Sequence, residues 1–314
     1  MTADPGTGDP VLVAEHLSKW YGDVSGLNDV SVAVPPGITG LLGPNGAGKS
    51  TFLRLATGQL APSAGTVRVL GEPIWGNPAL YARLGVCPDQ DAFYDRMTGR
   101  AWLEALVRLN GLSSSDARAA ARRALEAVEL LDVADRAIGG YSKGMRQRVK
   151  LAQAIVHDPE LLFLDEPLSG MDPLMRRKTI GLIKDWARQG RSIVVSSHVL
   201  HEVELMTSNI LLFNNGRILA EGDIRQIRDL IDEHPHTVVI RAADPRGLAR
   251  HLMAADGVVS VKFEDGAVVV QTATPDAFYT RLTTLAASGE AGAVEEITTP
   301  DDNLQAVFTY LVRS

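Results

Sequence analysis

Cysteine is almost missing from this chain of 314 residues: Cys87 stands alone. A single thiol cannot close an internal disulfide, and the composition suits a reducing compartment. Cys87 itself reads as a small apolar residue at a strand end. No window of about 18 uninterrupted apolar residues occurs, so no segment reads as a transmembrane helix. Work at a membrane therefore needs another chain to supply the span. Positive charge is not in excess either, with 31 Lys and Arg against 38 Asp and Glu and a formal net charge of −7. That balance argues against nucleic acid as a partner. The first ten residues have neither a basic start nor an apolar stretch, which excludes a signal peptide and makes residues 1–10 a disordered tail. No solenoid repeat is present, and no low-complexity tract beyond that tail. What the chain does have is 45% hydrophobic residues, enough for a real core, and a length that accommodates one large and one small domain.

One stretch organises the rest. Gly43-Pro44-Asn45-Gly46-Ala47-Gly48-Lys49-Ser50-Thr51 fits the pattern G-x-x-x-x-G-K-[ST] of a P-loop. Residues 38–42 before it are an apolar run suited to a buried strand. Residues 50–57 after it read as a helix, with Phe52, Leu53 and Leu55 for the core and Gly58 as its stop. Glycines at 43, 46 and 48 let the loop curl so that backbone N–H groups face phosphate oxygens, and the helix N-terminus adds partial positive charge. Lys49 supplies a full charge for the β- and γ-phosphates, and the Ser50 hydroxyl can ligate Mg²⁺. The stretch implies a nucleoside triphosphate site.

Along the chain, residues 11–17 and 27–34 read as strands, with Trp20-Tyr21-Gly22 in a loop between them. Strands at 66–70 and 83–87 follow, the second leading into an acidic and aromatic loop, 88–94. From 99 to 136 the period becomes helical; Ser113 with Asp116 resembles a capping box, and 117–131 is rich in Ala and strong helix formers. Residues 161–164 form an apolar run suited to a central parallel strand. A helix at 176–189, a strand at 192–196 and a short helix at 201–206 come next. Strands at 210–213 and 217–220 flank the hairpin turn Asn214-Asn215-Gly216. The first domain spans 11–230, with a helical subdomain at about 91–157, and ends around 229–235. In 236–314 the predicted strands are 237–241, 258–263, 267–271 and 294–297, the middle two joined by Glu264-Asp265-Gly266. Helices are predicted at 245–254, 275–287 and 303–313. That order, βαββαβ plus a terminal helix, predicts a small α+β domain of ferredoxin-like type.

Two further stretches carry chemistry. Asp165-Glu166 closes the apolar strand, which puts both carboxylates at its C-terminal end, where open α/β sheets bind ligands. An Asp there can hold Mg²⁺ through water while the Glu orients or deprotonates an attacking water. Tyr141-Ser142-Lys143-Gly144-Met145 opens the next helix, and a Ser and a Gly at a helix start make a second anion site or a simple cap.

Taken in order, these motifs resemble the ATP-binding subunit of an ABC transporter over roughly residues 11–230. Beyond the P-loop, the resemblance rests on 141–145 as the signature motif, 161–166 as the Walker B strand and Ser169-Gly170-Met171-Asp172 as the D-loop. His198 after a strand matches the switch histidine, and Tyr21 sits where the family stacks an aromatic on adenine. The implied fold is an α/β P-loop NTPase of the ABC ATPase type, a mixed sheet core plus a helical subdomain. The implied cofactors are ATP and Mg²⁺. The implied assembly is a head-to-tail dimer at a transmembrane permease, peripheral on the cytoplasmic face of the cell membrane. In it Ser142, Lys143, Gly144 and Asp172 meet nucleotide at the interface, Glu166 is the catalytic carboxylate and His198 contacts the γ-phosphate. Ser50, Asp165 and the Q-loop residue serve the metal. Two departures stand out. Lys143 and Met145 replace a Gly and the Gln of the usual Leu-Ser-Gly-Gly-Gln, and the Q-loop position falls on Asp89, with Gln90 one place later. The signature variant and the small C-terminal domain are similar to export-type subunits; an importer subunit and a soluble ABC ATPase are the alternatives. The loop 89–97 carries Phe93, Tyr94 and Met97, whose large apolar side chains either pack under the helical segment or grip the permease.

Overall fold

The computed structural model describes residues 8–224, 235–253, 255–264, 266–288 and 293–298. The expected terminal helix at 303–313, the start of the tail, the boundary segment at 229–234 and Asp265 lie outside these residues. The chain divides into two compact units, Met1–Gly222 and Asp223–Ser314.

The first unit holds two sheets. Strands β1 (Leu12–Tyr21), β2 (Val24–Val34), β4 (Ala64–Val69) and β5 (Glu72–Pro73) form an antiparallel sheet in the order β2-β1-β4-β5. The second sheet runs β10-β9-β3-β8-β7-β6, from β3 (Ile38–Leu42), β6 (Leu84–Cys87), β7 (Leu161–Asp165), β8 (Ser192–Ser197), β9 (Asn209–Asn214) and β10 (Arg217–Asp223). Its neighbours from β6 to β9 pair in parallel. Every residue of β7 and β8 is buried, as a parallel strand covered on both faces requires. Side chains alternate between those faces. Leu161, Phe163 and Val194 join a core with Phe52 and Phe213, whereas Leu162, Leu164, Ile193 and Val195 join the helical core around Leu103, Val107 and Leu125.

Helix α1 (Lys49–Ala56) follows β3, and α2 (Pro78–Tyr81) is a single turn. The helical stretch resolves into α3 (Gly99–Leu109) and α4 (Ser114–Ala127), then α5 (Lys143–Ile155). Helices α6 (Pro173–Arg188) and α7 (Leu200–Glu204) flank β8 in sequence. Side chains at the N-caps of α3, α4, α5 and α6 (Thr98, Ser113, Ser142 and Asp172) each accept a bond from the N–H three residues on. The turn between β9 and β10 has Asn215 at φ 47° and Gly216 at φ 75°, the two left-handed residues of a tight hairpin.

One local expectation changes. Trp20 and Tyr21 extend β1 and do not lie in a loop, because they pair across to Ser25 and Val24. The turn shrinks to Gly22 and Asp23, with Gly22 at φ 59°.

In the second unit, β11 (His236–Ala242), β12 (Val258–Glu264), β13 (Ala267–Thr272) and β14 (Val294–Thr298) form an antiparallel sheet ordered β12-β13-β11-β14. Helices α8 (Pro245–Met253) and α9 (Pro275–Ser288) supply Leu248, Leu252, Phe278 and Leu282 to a core with Val238, Ile240, Val268 and Val270.

Candidate functional site

The loop from β3 into α1 curls because three of its residues hold backbone angles that a side chain resists. Gly43, Gly46 and Gly48 have φ of 150°, 82° and 108°. A Cβ on Gly43 would stand 2.3 Å from the Phe213 carbonyl oxygen, and one on Gly48 would stand 2.8 Å from that of Gly26. Pro44, Asn45 and Ala47 complete the curl, with the Ala47 N–H donating to the Pro44 carbonyl at 3.1 Å. Helix α1 differs from α2 to α6, each of which has a side chain at its N-cap: Gly48 has none to offer, and the first turn of α1 holds no acidic residue. The N–H groups of Lys49, Ser50 and Thr51 are thus left for an outside acceptor. Lys49 is buried, and its Nζ donates to the carbonyls of Gly43 at 2.6 Å and Pro44 at 3.1 Å. Burial pushes its ammonium down from the ordinary lysine range, while the nearby carboxylates of Glu166 and Asp165 pull it back up.

Those carboxylates come from the C-terminal end of β7. Asp165 is buried, and its Oδ1 accepts a hydrogen bond from Ser196 Oγ. Glu166 breaks the strand with φ 49°, a left-handed conformation that costs a non-glycine residue about 1–3 kcal/mol. Its Oε2 lies 2.9 Å from Nδ1 of His198, just past β8. Burial pushes the Glu166 carboxyl above its ordinary range, against the downward pull of His198 and Lys49. An uncapped helix start and a cation after β3, two carboxylates at the end of β7 and the imidazole after β8 therefore converge, a donor set suited to a polyphosphate carrying a hard cation.

Tyr21 reaches the same place. A Cβ on Gly26 would lie 2.7 Å from the Tyr21 ring and 3.3 Å from Thr51 Cγ2, so the missing side chain lets the ring sit beside the first turn of α1. The ring is 44% exposed, and Lys19 Nζ stands 5.7 Å from its centroid. Asp89 and Gln90, both exposed, line a cleft of about 510 Å³ together with Thr57, Gln153 and Asp165. The segment they open is tied to α5: Lys150 Nζ donates to the Asp89 carbonyl at 2.6 Å and pairs with Asp91 at 3.2 Å, and Arg146 pairs with Asp95 at 2.7 Å.

The signature residues are elsewhere. Ser142 Oγ accepts from the Met145 N–H at 3.2 Å, which leaves its own proton for another acceptor. The Lys143 stem covers Gly170, where a Cβ would come within 2.6 Å of it, and a Cβ on Gly144 would meet the Gly170 carbonyl at 3.3 Å. Asp172 caps α6 through the Met175 N–H at 3.0 Å. Among the described residues, no hydrogen bond joins Ser142, Lys143, Gly144 or Asp172 to the P-loop. In the loop 89–97, Phe93 is half-buried with its ring 5.5 Å from that of Trp102, and Met97 is half-buried too. Tyr94, also edge-on to Trp102 at 6.0 Å, is 70% exposed. Sequence reasoning missed Ser196 and Gln147, whose Nε2 donates to the Glu166 carbonyl at 3.2 Å; neither stands in a motif that marks it.

The ABC transporter family model matches residues 27–169. The chain is 36% identical over 233 residues to an uncharacterized ABC transporter ATP-binding protein, YxlF of Bacillus subtilis, covering 74% of this chain and 77% of that one. This chain belongs to the ABC transporter ATP-binding proteins. It is likewise 32% identical to the daunorubicin resistance ATP-binding protein DrrA3 of Streptomyces coeruleorubidus, over 80% of each chain. It matches ATP-binding cassette sub-family A member 7 of Rattus norvegicus at 32% identity over 97% of its own length, yet spans only 14% of that protein. Among solved structures, an ATP-binding subunit of an ABC transporter aligns with a TM-score of 0.65 and 27% identity, over 70% of this chain and 93% of that one. The fold is that of an ABC ATPase, and the chain is an ATP-hydrolysing subunit of that family. Among the described residues, no helix is long and apolar enough to cross a membrane.

Proposed function

We propose that this chain drives export through a separate transmembrane permease on the cytoplasmic face of the cell membrane, working as a head-to-tail dimer with each ATP bound between two copies. The observation that carries the dimer is the division of the chemistry within one chain. Lys49, Asp165, Glu166 and His198 converge, while Ser142 keeps a free hydroxyl proton and, among the described residues, no hydrogen bond joins it to the P-loop. One copy therefore supplies the phosphate cradle and the base, and the partner supplies the signature helix. Tyr21 stacks on adenine, and the P-loop N–H groups and Lys49 hold the phosphates. Ser50 and Asp165, with Asp89 or Gln90 at the cleft, would hold Mg²⁺, which would supply charge neutralisation for the phosphates. Glu166 takes the proton of the attacking water, its raised affinity for protons suiting a base, and His198 keeps the carboxylate aimed. Export is supported by the Tyr-Ser-Lys-Gly-Met signature and by a relative whose name speaks of drug resistance. The permease grips Tyr94, with Phe93 and Met97 behind it.

A mixed dimer tests the arrangement. Ser142→Arg in one copy and Lys49→Ala in the other put both lesions in one composite site and leave the second intact. Both lesions in a single copy damage both sites. The first arrangement should retain substantially more ATP hydrolysis than the second, and equal activity overturns the head-to-tail assignment.

A further inference from the structure

We infer that Ser196 is a positioning residue that sets the two acidic residues of the site at once. Strand β8 is otherwise aliphatic at its centre, with Ile193, Val194 and Val195, and Ser196 is fully buried among them. A hydroxyl in such a place needs partners, because burying it without them is costly. It has two, on the last residue of the neighbouring strand and the residue after it, where Ser196 stands in register with Asp165. Its single proton goes to Asp165 Oδ1, and its oxygen accepts the Glu166 N–H at 3.1 Å. The first bond fixes the rotation of the Asp165 carboxylate and leaves Oδ2 for a cation or its water. The second holds the peptide that carries Glu166 into its left-handed turn, the turn that aims the side chain at His198. Gln147 holds the other side of that residue through the Glu166 carbonyl. One hydroxyl thus couples the metal-holding carboxylate to the base.

This inference rests on the proposed roles of Asp165 and Glu166, and the experiment separates the two. Affinity for ATP is measured in EDTA and in saturating Mg²⁺, alongside hydrolysis as a function of Mg²⁺ concentration, for Ser196→Ala, Ser196→Thr and Asp165→Asn, with thermal melts confirming the fold. In Ser196→Ala, ATP affinity in EDTA should stay within about twofold of wild type, while the gain in affinity on adding Mg²⁺ and kcat each fall about tenfold. Ser196→Thr, which keeps the hydroxyl, should recover most of both. An unchanged Mg²⁺ response and kcat in Ser196→Ala, beside a lost Mg²⁺ response in Asp165→Asn, overturns the role of Ser196 alone. A Mg²⁺ response preserved in Asp165→Asn overturns the reading of the site itself, and this inference with it. Equal loss of ATP affinity in EDTA would make Ser196 merely a packing residue. Should Ser196→Thr not fold, Ser196→Ala decides, since removing one oxygen atom leaves the packing around β8 in place.

Discussion

Replacing Glu166 with Gln separates the chemistry of the site from its architecture. The amide keeps the shape of the carboxylate and can still face His198 Nδ1, now 2.9 Å from Oε2. The backbone at φ 49° keeps its bonds to Ser196 and Gln147, which use the peptide and not the side chain. What disappears is the base. General-base removal costs about 10²–10⁴ in rate, so turnover should fall at least about a hundredfold, equivalent to about 2.7 kcal/mol of barrier. ATP affinity should change little, because the P-loop and Lys49 are intact. Stability should move the other way. Burial raises the affinity of this carboxyl for its proton above the ordinary value of 4.5, more than His198 and Lys49 lower it. A carboxyl whose folded pKa exceeds its unfolded one favours the fold when protonated, and its ionised form weakens the fold once the pH passes the folded value. The variant carries no such penalty. It should melt above wild type at neutral pH, and the gap should close as pH falls below the ordinary carboxylate range. The assay pairs phosphate release at saturating Mg²⁺ and ATP with thermal unfolding across pH without nucleotide. Near-normal turnover refutes the role of Glu166, and a folded variant that melts lower at neutral pH refutes the electrostatic argument.

His198→Ala removes the hydrogen bond and the electrostatic interaction that hold the Glu166 carboxyl down, so Glu166 should bind its proton more tightly and the acid limb of kcat should move to higher pH. A pH profile that drops in height without shifting would mean that His198 acts on something other than Glu166. Tyr94→Ala should leave the isolated subunit folded and hydrolysing while weakening its binding to the permease by about 2 kcal/mol. Phe93→Ala, by contrast, takes a half-buried ring from against Trp102 and should cost the isolated subunit about 2 kcal/mol of stability, read by urea unfolding. If Tyr94→Ala unfolds the free subunit as readily as Phe93→Ala does, the contact with the permease is not at Tyr94.

The P-loop was legible in the sequence because its physics is local. Three glycines, a lysine and a hydroxyl must follow one another at fixed spacing for a backbone to wrap a phosphate. The same holds for the buried run at β7, the caps at Ser113 and Ser142, and the turn at Asn215 and Gly216, each a matter of a few neighbouring residues. What the tertiary structure decided is everything set by register between distant segments. Tyr21 belongs to a strand only because Val24 stands across from it, and its ring takes the space that a side chain at Gly26 would fill. Phe93 and Tyr94 are adjacent aromatics that both meet Trp102 edge-on, and only the tertiary packing leaves one half-buried and the other exposed. Ser196 is one small residue in an apolar strand, indistinguishable in sequence from a neutral substitution. Its meaning comes from the parallel pairing of β7 with β8, which sets a hydroxyl opposite a carboxylate 31 residues away in the chain. A hydrogen bond depends on distance in space, and no local pattern of residue types encodes which strand will lie alongside which.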